Sequence, residues 1–194
     1  YGEQKQYLVT KCSNDWVLSL DADEVLTNEL IDEIQKEFSK QTIPNDGYFL
    51  NRKHIYLGKV FTYGNLKNVP ILRLFNKNKA AFSSRKVHEK VHSNGKTGRF
   101  KNAFLHYTAT SVEQIMHKKN LYATLSSEEY FKKGKRVGFF TLLVKYPFVF
   151  IKEYLINLNF LNGYEGYVWS VYSAEYSSLK YIKLRERNRK ANHS

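Results

Sequence analysis

Residues 15–34 read DWVLSLDADEVLTNELIDEI, and the fold turns on how that stretch is understood. Trp16-Val17-Leu18-Ser19-Leu20 is a short, mostly apolar run that ends abruptly in Asp21-Ala22-Asp23-Glu24. Such a run reads as a buried strand with carboxylates at its C-terminal end. Thr27 is placed to cap the next segment, with Glu29 in its first turn. Leu30, Ile31, Ile34 and Phe38 then recur at helical spacing, which predicts an amphipathic helix over about 28–39. In open α/β sheets, ligands bind beyond the carboxyl ends of the strands. Two aspartates at i and i+2 there offer hard oxygen ligands that suit Mg²⁺ or Mn²⁺, which in turn bridge phosphate oxygens. A divalent ion so held can neutralise a diphosphate leaving group. The alternative for any D-x-D is a solvated loop.

Pro44-Asn45-Asp46-Gly47 reads as a turn, and strands are expected over 48–57, 69–75 and 102–108. Ser111-Val112-Glu113-Gln114 has the form of a capping box and predicts a helix to about Lys133. Residues 139–161 are rich in Phe, Leu and Tyr, and Pro147 marks a break or a new first turn. Asn162-Gly163 is a stop, 164–184 reads as a further helix, and the tail over 180–190, KYIKLRERNRK, is basic. Strand, helix, several strands and then helices make a mixed α/β domain followed by a helical appendage.

Apolar residues are 42% of the 194-residue chain and aromatics 15%, which excludes a disordered polymer. Lys and Arg outnumber Asp and Glu by 31 to 18, a formal charge of +13. That charge either serves an anionic partner or only aids solubility. Cys12 is the single cysteine, which excludes an intramolecular disulfide framework and fits a reducing compartment. No secretory signal is visible. The longest uncharged run of the aromatic region, Tyr154–Tyr164, falls short of the roughly 20 residues a membrane span needs. Phe, Tyr and Lys interleaved on helices suit shallow insertion at a bilayer with the basic tail on anionic headgroups, or ordinary packing against the catalytic domain. The chain opens at Tyr1 and its only methionine is Met116, so it reads as a processed or truncated segment.

His88-Glu89-Lys90-Val91-His92 matches the zinc-protease pattern H-E-x-x-H, which requires a helix to bring both imidazoles to one face. Val87, Glu89 and Val91 alternate instead with His88, Lys90 and His92, the period of a strand. Ser93-Asn94-Gly95 would end a helix at once, and Gly98 stands where the longer form of the motif needs a third histidine. The protease reading is set aside.

The stretch DWVLSLDADEVLTNELIDEI is similar to the D-x-D segment of family-2 glycosyltransferases with the GT-A fold. More narrowly, it resembles bacterial lipopolysaccharide-core enzymes of the heptose-directed β-1,4-glucosyltransferase type. Residues 2–16 resemble the G-x-Q-K-N-x-A helix that precedes that strand. Asp46-Gly47-Tyr48, Arg73-Leu74-Phe75, Val87-His88-Glu89 and Leu105-His106-Tyr107 follow in the family's order. Phe160-Leu161-Asn162-Gly163-Tyr164-Glu165-Gly166 looks like its F-L-D-G-x-x-G element.

The resemblance implies an α/β chain with the C-terminal part of a GT-A, Rossmann-like domain over 1–110. Amphipathic, membrane-associating helices follow over 111–194. The family's N-terminal half, with the N-E-x-x-x-I and D-x-x-S-x-D-x-T segments that grip the nucleotide, is not in this sequence. The resemblance therefore implies that the chain as given lacks most of the donor-base pocket, and it does not by itself imply activity of this chain alone. It further implies inverting transfer of a hexose, glucose foremost, from a nucleotide-diphosphate sugar such as UDP-glucose to a lipid-linked core sugar. That chemistry belongs at the inner face of a bacterial cytoplasmic membrane, with Mg²⁺ or Mn²⁺ as cofactor. Asp23 would contact the metal directly, and Asp21 the ribose or the metal through water. Glu89 would be the general base, or else a surface carboxylate paired with Lys86 or Lys90. Arg73, His88 and His106 would touch acceptor or phosphate, although Arg73 could equally partner a core acid. The reading from another class is a non-catalytic basic, aromatic module for nucleic acid or anionic lipid; the chain carries no RNP-like, KH or helix-turn-helix signature.

Overall fold

The structure, a computed structural model, describes residues 2–66, 69–82 and 91–192. In chain order the elements are α1 (Gly2–Lys11), β1 (Trp16–Leu18), β2 (Glu24–Leu26), α2 (Asn28–Phe38), β3 (Gly47–Tyr56), β4 (Lys59–Val60) and β5 (Val69–Asn76). They continue with β6 (Ala80–Phe82), β7 (Val91–Ser93), β8 (Thr97–Ala109), α3 (Val112–Lys132), α4 (Phe139–Ile151) and α5 (Gly163–Ala191). A π-helical turn, Lys152–Ile156, and a 3₁₀ turn, Asn159–Asn162, separate the last two helices. The result is the expected mixed α/β chain with helices at its C-terminal end. Two compact units divide it: residues 1–54 with 67–107, and residues 55–66 with 108–194.

In the first unit the strands follow the order β1-β5-β3-β8-β2 among the described residues. The pairs β1/β5, β3/β5 and β2/β8 are antiparallel, with Val17 opposite Phe75 and Glu24 opposite His106. α2 forms where the pattern placed it, and Thr27 Oγ1 accepts from the Leu30 amide at 3.3 Å. Its apolar stripe, Leu30, Ile34 and Phe38, closes over Tyr48, Leu50, Leu74, Phe100 and Phe104. Full burial of one such side chain is worth about 1.5–3 kcal/mol, so this stripe rather than helix propensity holds α2 in place. A second cluster, Val9, Val17, Phe75 and Ala80, ties α1 to β1, β5 and β6.

β1 departs from the expected buried strand. It is three residues long, only Val17 is buried, and Leu18 and Leu20 are each 36% exposed. The reason is positional: β1 ends the strand order, so among the described residues β5 alone pairs with it.

In the second unit, Ser111 caps α3 by accepting from the Gln114 amide at 3.1 Å. The reciprocal bond runs from the Thr110 amide to Gln114 Oε1, one residue earlier than the standard box. α5 runs past the predicted end at 184 because the basic tail is pinned to α3. Lys183 donates to Asn120 Oδ1 and Thr124 Oγ1, both at 2.6 Å, and Arg187 pairs with Glu128 at 2.7 Å. Pro147, expected to break the chain or begin a helix, lies inside α4. A proline there forfeits the bond to the Leu143 carbonyl at a cost of about 3 kcal/mol; packing of α4 along α5 holds the segment helical through it.

The F-L-N-G-Y-E-G segment has a structural explanation. Buried Asn162 accepts from the Thr62 and Tyr63 amides at 3.2 and 3.3 Å and donates to the Tyr63 carbonyl at 3.2 Å. Gly163 takes φ +68°, and a Cβ on Gly166 would stand 1.8 Å from the Asn159 carbonyl oxygen, so both positions require glycine. The core behind this junction is Tyr56, Phe61, Ala109, Ile115 and Val168, with Trp169 against it. Among the described residues no helix is long and apolar enough to cross a membrane.

Candidate active site

The D-A-D-E segment folds as a turn closed on itself by its fourth residue. The Glu24 amide donates to the Asp21 carbonyl at 3.0 Å, and Glu24 Oε2 accepts from the Asp21 amide at 3.0 Å. β8 holds the other side of the turn, where the Tyr107 amide donates to the Asp23 carbonyl at 2.8 Å. The turn is therefore fixed before any ligand arrives, which is what preorganised charge requires.

Each acid has a different environment. Glu24 is buried and pairs with Arg73 Nη2. The same Nη2 reaches Asp21 Oδ2 at 2.7 Å, while Lys5 Nζ of α1 meets Asp21 Oδ1 at 2.6 Å. Burial alone would raise the Asp21 carboxyl, but the bonds from Lys5 and Arg73 outweigh it and hold its pKa below the usual value. Asp23 is the open acid. Its side chain is 43% exposed, and Oδ2 lies 3.2 Å from His106 Nε2.

His106 continues the chain of contacts inward, its Nδ1 3.1 Å from Nδ1 of His54 on β3. Burial, with the charges of Arg52 and His106 adding to it, pushes His54 down to about 3, so it stays neutral near pH 7. His106 thus faces the Asp23 carboxylate through Nε2 and His54 through Nδ1, so the acid and the two rings form one line of polar contacts. Arg52, two residues before His54 on the same face of β3, has a buried Nε with no acceptor among the described residues. Burial lowers its pKa, opposed chiefly by the charge of Glu24.

Four expected residues, Asp21, Asp23, Arg73 and His106, thus come together, whereas His88 and Glu89 lie outside the described residues. His92 falls on β7 opposite Ala81, exposed and in strand rather than helix. Lys5, Glu24, Arg52 and His54 join the site without having been singled out. Among the described residues no three His, Cys, Asp or Glu side chains converge as a ready metal cage. The donor set still fits a hard divalent ion that keeps most of its water and is held by one carboxylate plus substrate phosphates. Asp23 has the exposure for that, whereas both Asp21 oxygens face cationic groups.

No family model matches the chain. Curated relatives do. A protein of Rickettsia typhi named as an uncharacterized glycosyltransferase is 32% identical over 201 residues, which cover 96% of this chain and 67% of the relative. A Rickettsia prowazekii glycosyltransferase, also named uncharacterized, is likewise 32% identical with the same coverage. The lipopolysaccharide core biosynthesis glycosyltransferase LpsC of Rhizobium meliloti is 28% identical over 190 residues, 97% of this chain and 70% of LpsC. Identity sustained along nearly the whole chain places this protein in the glycosyltransferase family of these relatives.

Proposed function

We propose that the chain is the D-x-D and acceptor-side part of a GT-A, family-2 glycosyltransferase that inverts configuration at the transferred sugar. It moves a hexose, glucose foremost, from a nucleotide-diphosphate donor such as UDP-glucose to a lipid-linked core sugar at the inner face of a bacterial cytoplasmic membrane. The observation that carries the reading is the fixed acidic turn. Two of its three carboxylates are neutralised by Lys5 and Arg73, and Asp23 alone stands open beside His106. The name of LpsC supports the lipopolysaccharide-core substrate class.

In the proposed reaction the Glu89 carboxylate takes the proton of the acceptor hydroxyl as that oxygen attacks C1 of the sugar. The bond from C1 to the diphosphate breaks on the opposite face, and the nucleoside diphosphate leaves. Glu89 has this role from its V-H-E motif alone. Asp23 would hold Mg²⁺ or Mn²⁺, whose bound charge supplies electrostatic relief to the departing diphosphate. Asp21, held by Lys5 and Arg73, would contact the ribose or the metal through water. His106 and His88 contact the acceptor, and the His54 ring behind His106 fixes its orientation.

Arg73 was expected to meet phosphate or to partner a core acid. Its Nη2 is engaged by Asp21 and Glu24, so here it positions the acids, and Arg52 takes an anionic group of donor or acceptor. The reading is tested by UDP-glucose turnover on lipopolysaccharide-core acceptors with Mn²⁺. Asp23→Asn and Glu89→Gln are each expected to lower kcat by about 10²–10⁴-fold, the usual range for a general base or a charge-stabilising group. Full activity in both variants would refute it.

A further inference from the structure

α4 packs along α5, yet none of its residues is buried. Phe140, Val144, Phe148, Ile151 and Leu155 recur at i, i+4, i+8, i+11 and i+15, one face of a helix that runs on into the π-helical turn. All five are exposed, Phe140 by 75% and Phe148 by 60%. A continuous apolar stripe of this size marks an interaction surface rather than scattered exposure.

The surrounding charge selects the partner. Lys132, Lys133, Lys135 and Arg136 stand immediately before α4, and Lys145 and Lys152 lie along it, while no acid occurs from 132 to 152. The first acid after them, Glu153, is turned toward Trp169 and Asn159. A second copy of the chain would set this basic rim against an identical one. An anionic lipid surface complements it. At 1.5 Å per residue the 13 residues of α4 span about 20 Å, short of a hydrocarbon core of about 30 Å, so the helix lies in the plane of the interface. Lys183 and Arg187 of the tail are engaged by α3 and Lys133 pairs with Glu129, so the headgroup contact falls chiefly to Lys132, Lys135 and Arg136.

We infer that α4 and the following π-helical turn are a membrane-insertion element. The Phe140–Leu155 stripe seats at the acyl boundary of an anionic leaflet, and Lys132–Arg136 lies on its headgroups. The inference deepens the membrane side of the proposed function and rests on it. Its readout needs neither donor nor acceptor, so its failure is separable from failure of sugar transfer.

The test is cosedimentation of the full chain with phosphatidylglycerol-containing vesicles and with pure phosphatidylcholine vesicles. Wild-type protein is expected to favour the anionic vesicles. The double variant F140S/F148S should bind on the order of 100-fold more weakly, from the apolar area it withdraws. Replacing Lys132, Lys135 and Arg136 by Ala should cost on the order of 100-fold on anionic vesicles at low salt. Far-UV circular dichroism checks that the variants fold, and Phe140→Trp keeps the stripe apolar while reporting on it. The emission of that variant should shift to the blue on anionic vesicles only. Equal binding to both vesicle types, unchanged binding by F140S/F148S, an unshifted emission of the Phe140→Trp variant, or a wild-type dimer that F140S/F148S splits to monomers would each overturn the inference.

Discussion

The acidic turn of the first unit and α4 of the second treat their costly groups in opposite ways. In the turn, three carboxylates gather within four residues, and two are neutralised by cations brought from α1 and β5. Along α4, large apolar side chains stay in water with no residue buried. The turn has met its electrostatic cost inside the fold and leaves one acid, Asp23, available to a ligand. The helix has left its cost unmet, and a partner outside the chain relieves it. Removing a partner inside the turn should therefore damage the fold, whereas polar substitution along α4 should not.

The largest effect is expected from Arg73→Ala. It strips the cation from buried Glu24 and from Asp21 together, and breaking a buried pair on one side costs about 3–5 kcal/mol. Urea denaturation measures this, and a loss below about 1 kcal/mol, the range of an exposed pair, would show that the turn does not depend on Arg73. Asn162→Ala, which abandons two amides and a carbonyl at the start of α5, should cost about 1–3 kcal/mol by the same measurement.

A pH series sharpens the contrast further. His54 is held neutral down to about pH 3 in the folded chain but takes a proton near 6.5 when unfolded. Between those values the unfolded state binds more protons, so stability falls with decreasing pH, by up to about 1.4 kcal/mol per unit from this group. His54→Phe should flatten that slope. The smallest effect belongs to α4: F140S/F148S should leave the urea midpoint within about 0.5 kcal/mol of wild type.

Local signals carried most of what was legible beforehand. Thr27 with the Leu30–Phe38 stripe, and Ser111 with Gln114, are contained within a few residues of chain, and both helices start where those residues place them. The clustering of acids after Trp16–Leu20 was equally plain. Their neutralisation was not, because Arg73 lies 52 residues from Asp21 and 49 from Glu24, and only the register of β5 brings them together. Arg52 and His54 left a weaker trace. At i and i+2 of a strand they must share a face, and two basic groups on one face of a largely buried strand mark a site. The tail was read as a contact for anionic headgroups or as ordinary packing, and its partners Asn120, Thr124 and Glu128 were not legible because they lie far back along the chain on α3. Pro147 misled for a related reason, since tertiary packing on α5 overrides a local breaking preference.

The central claim is that the acidic turn is the donor site and that Asp23 is its open ligand. Calorimetric titration of inorganic diphosphate, the donor moiety that needs no base pocket, into the full chain, with and without Mn²⁺, on wild type and Asp23→Asn, tests it most directly. Binding that requires Mn²⁺ in the wild type and is lost in Asp23→Asn, with the urea midpoint unchanged, is the predicted result. Binding of equal strength in both proteins, or none in the wild type with the metal present, would contradict it.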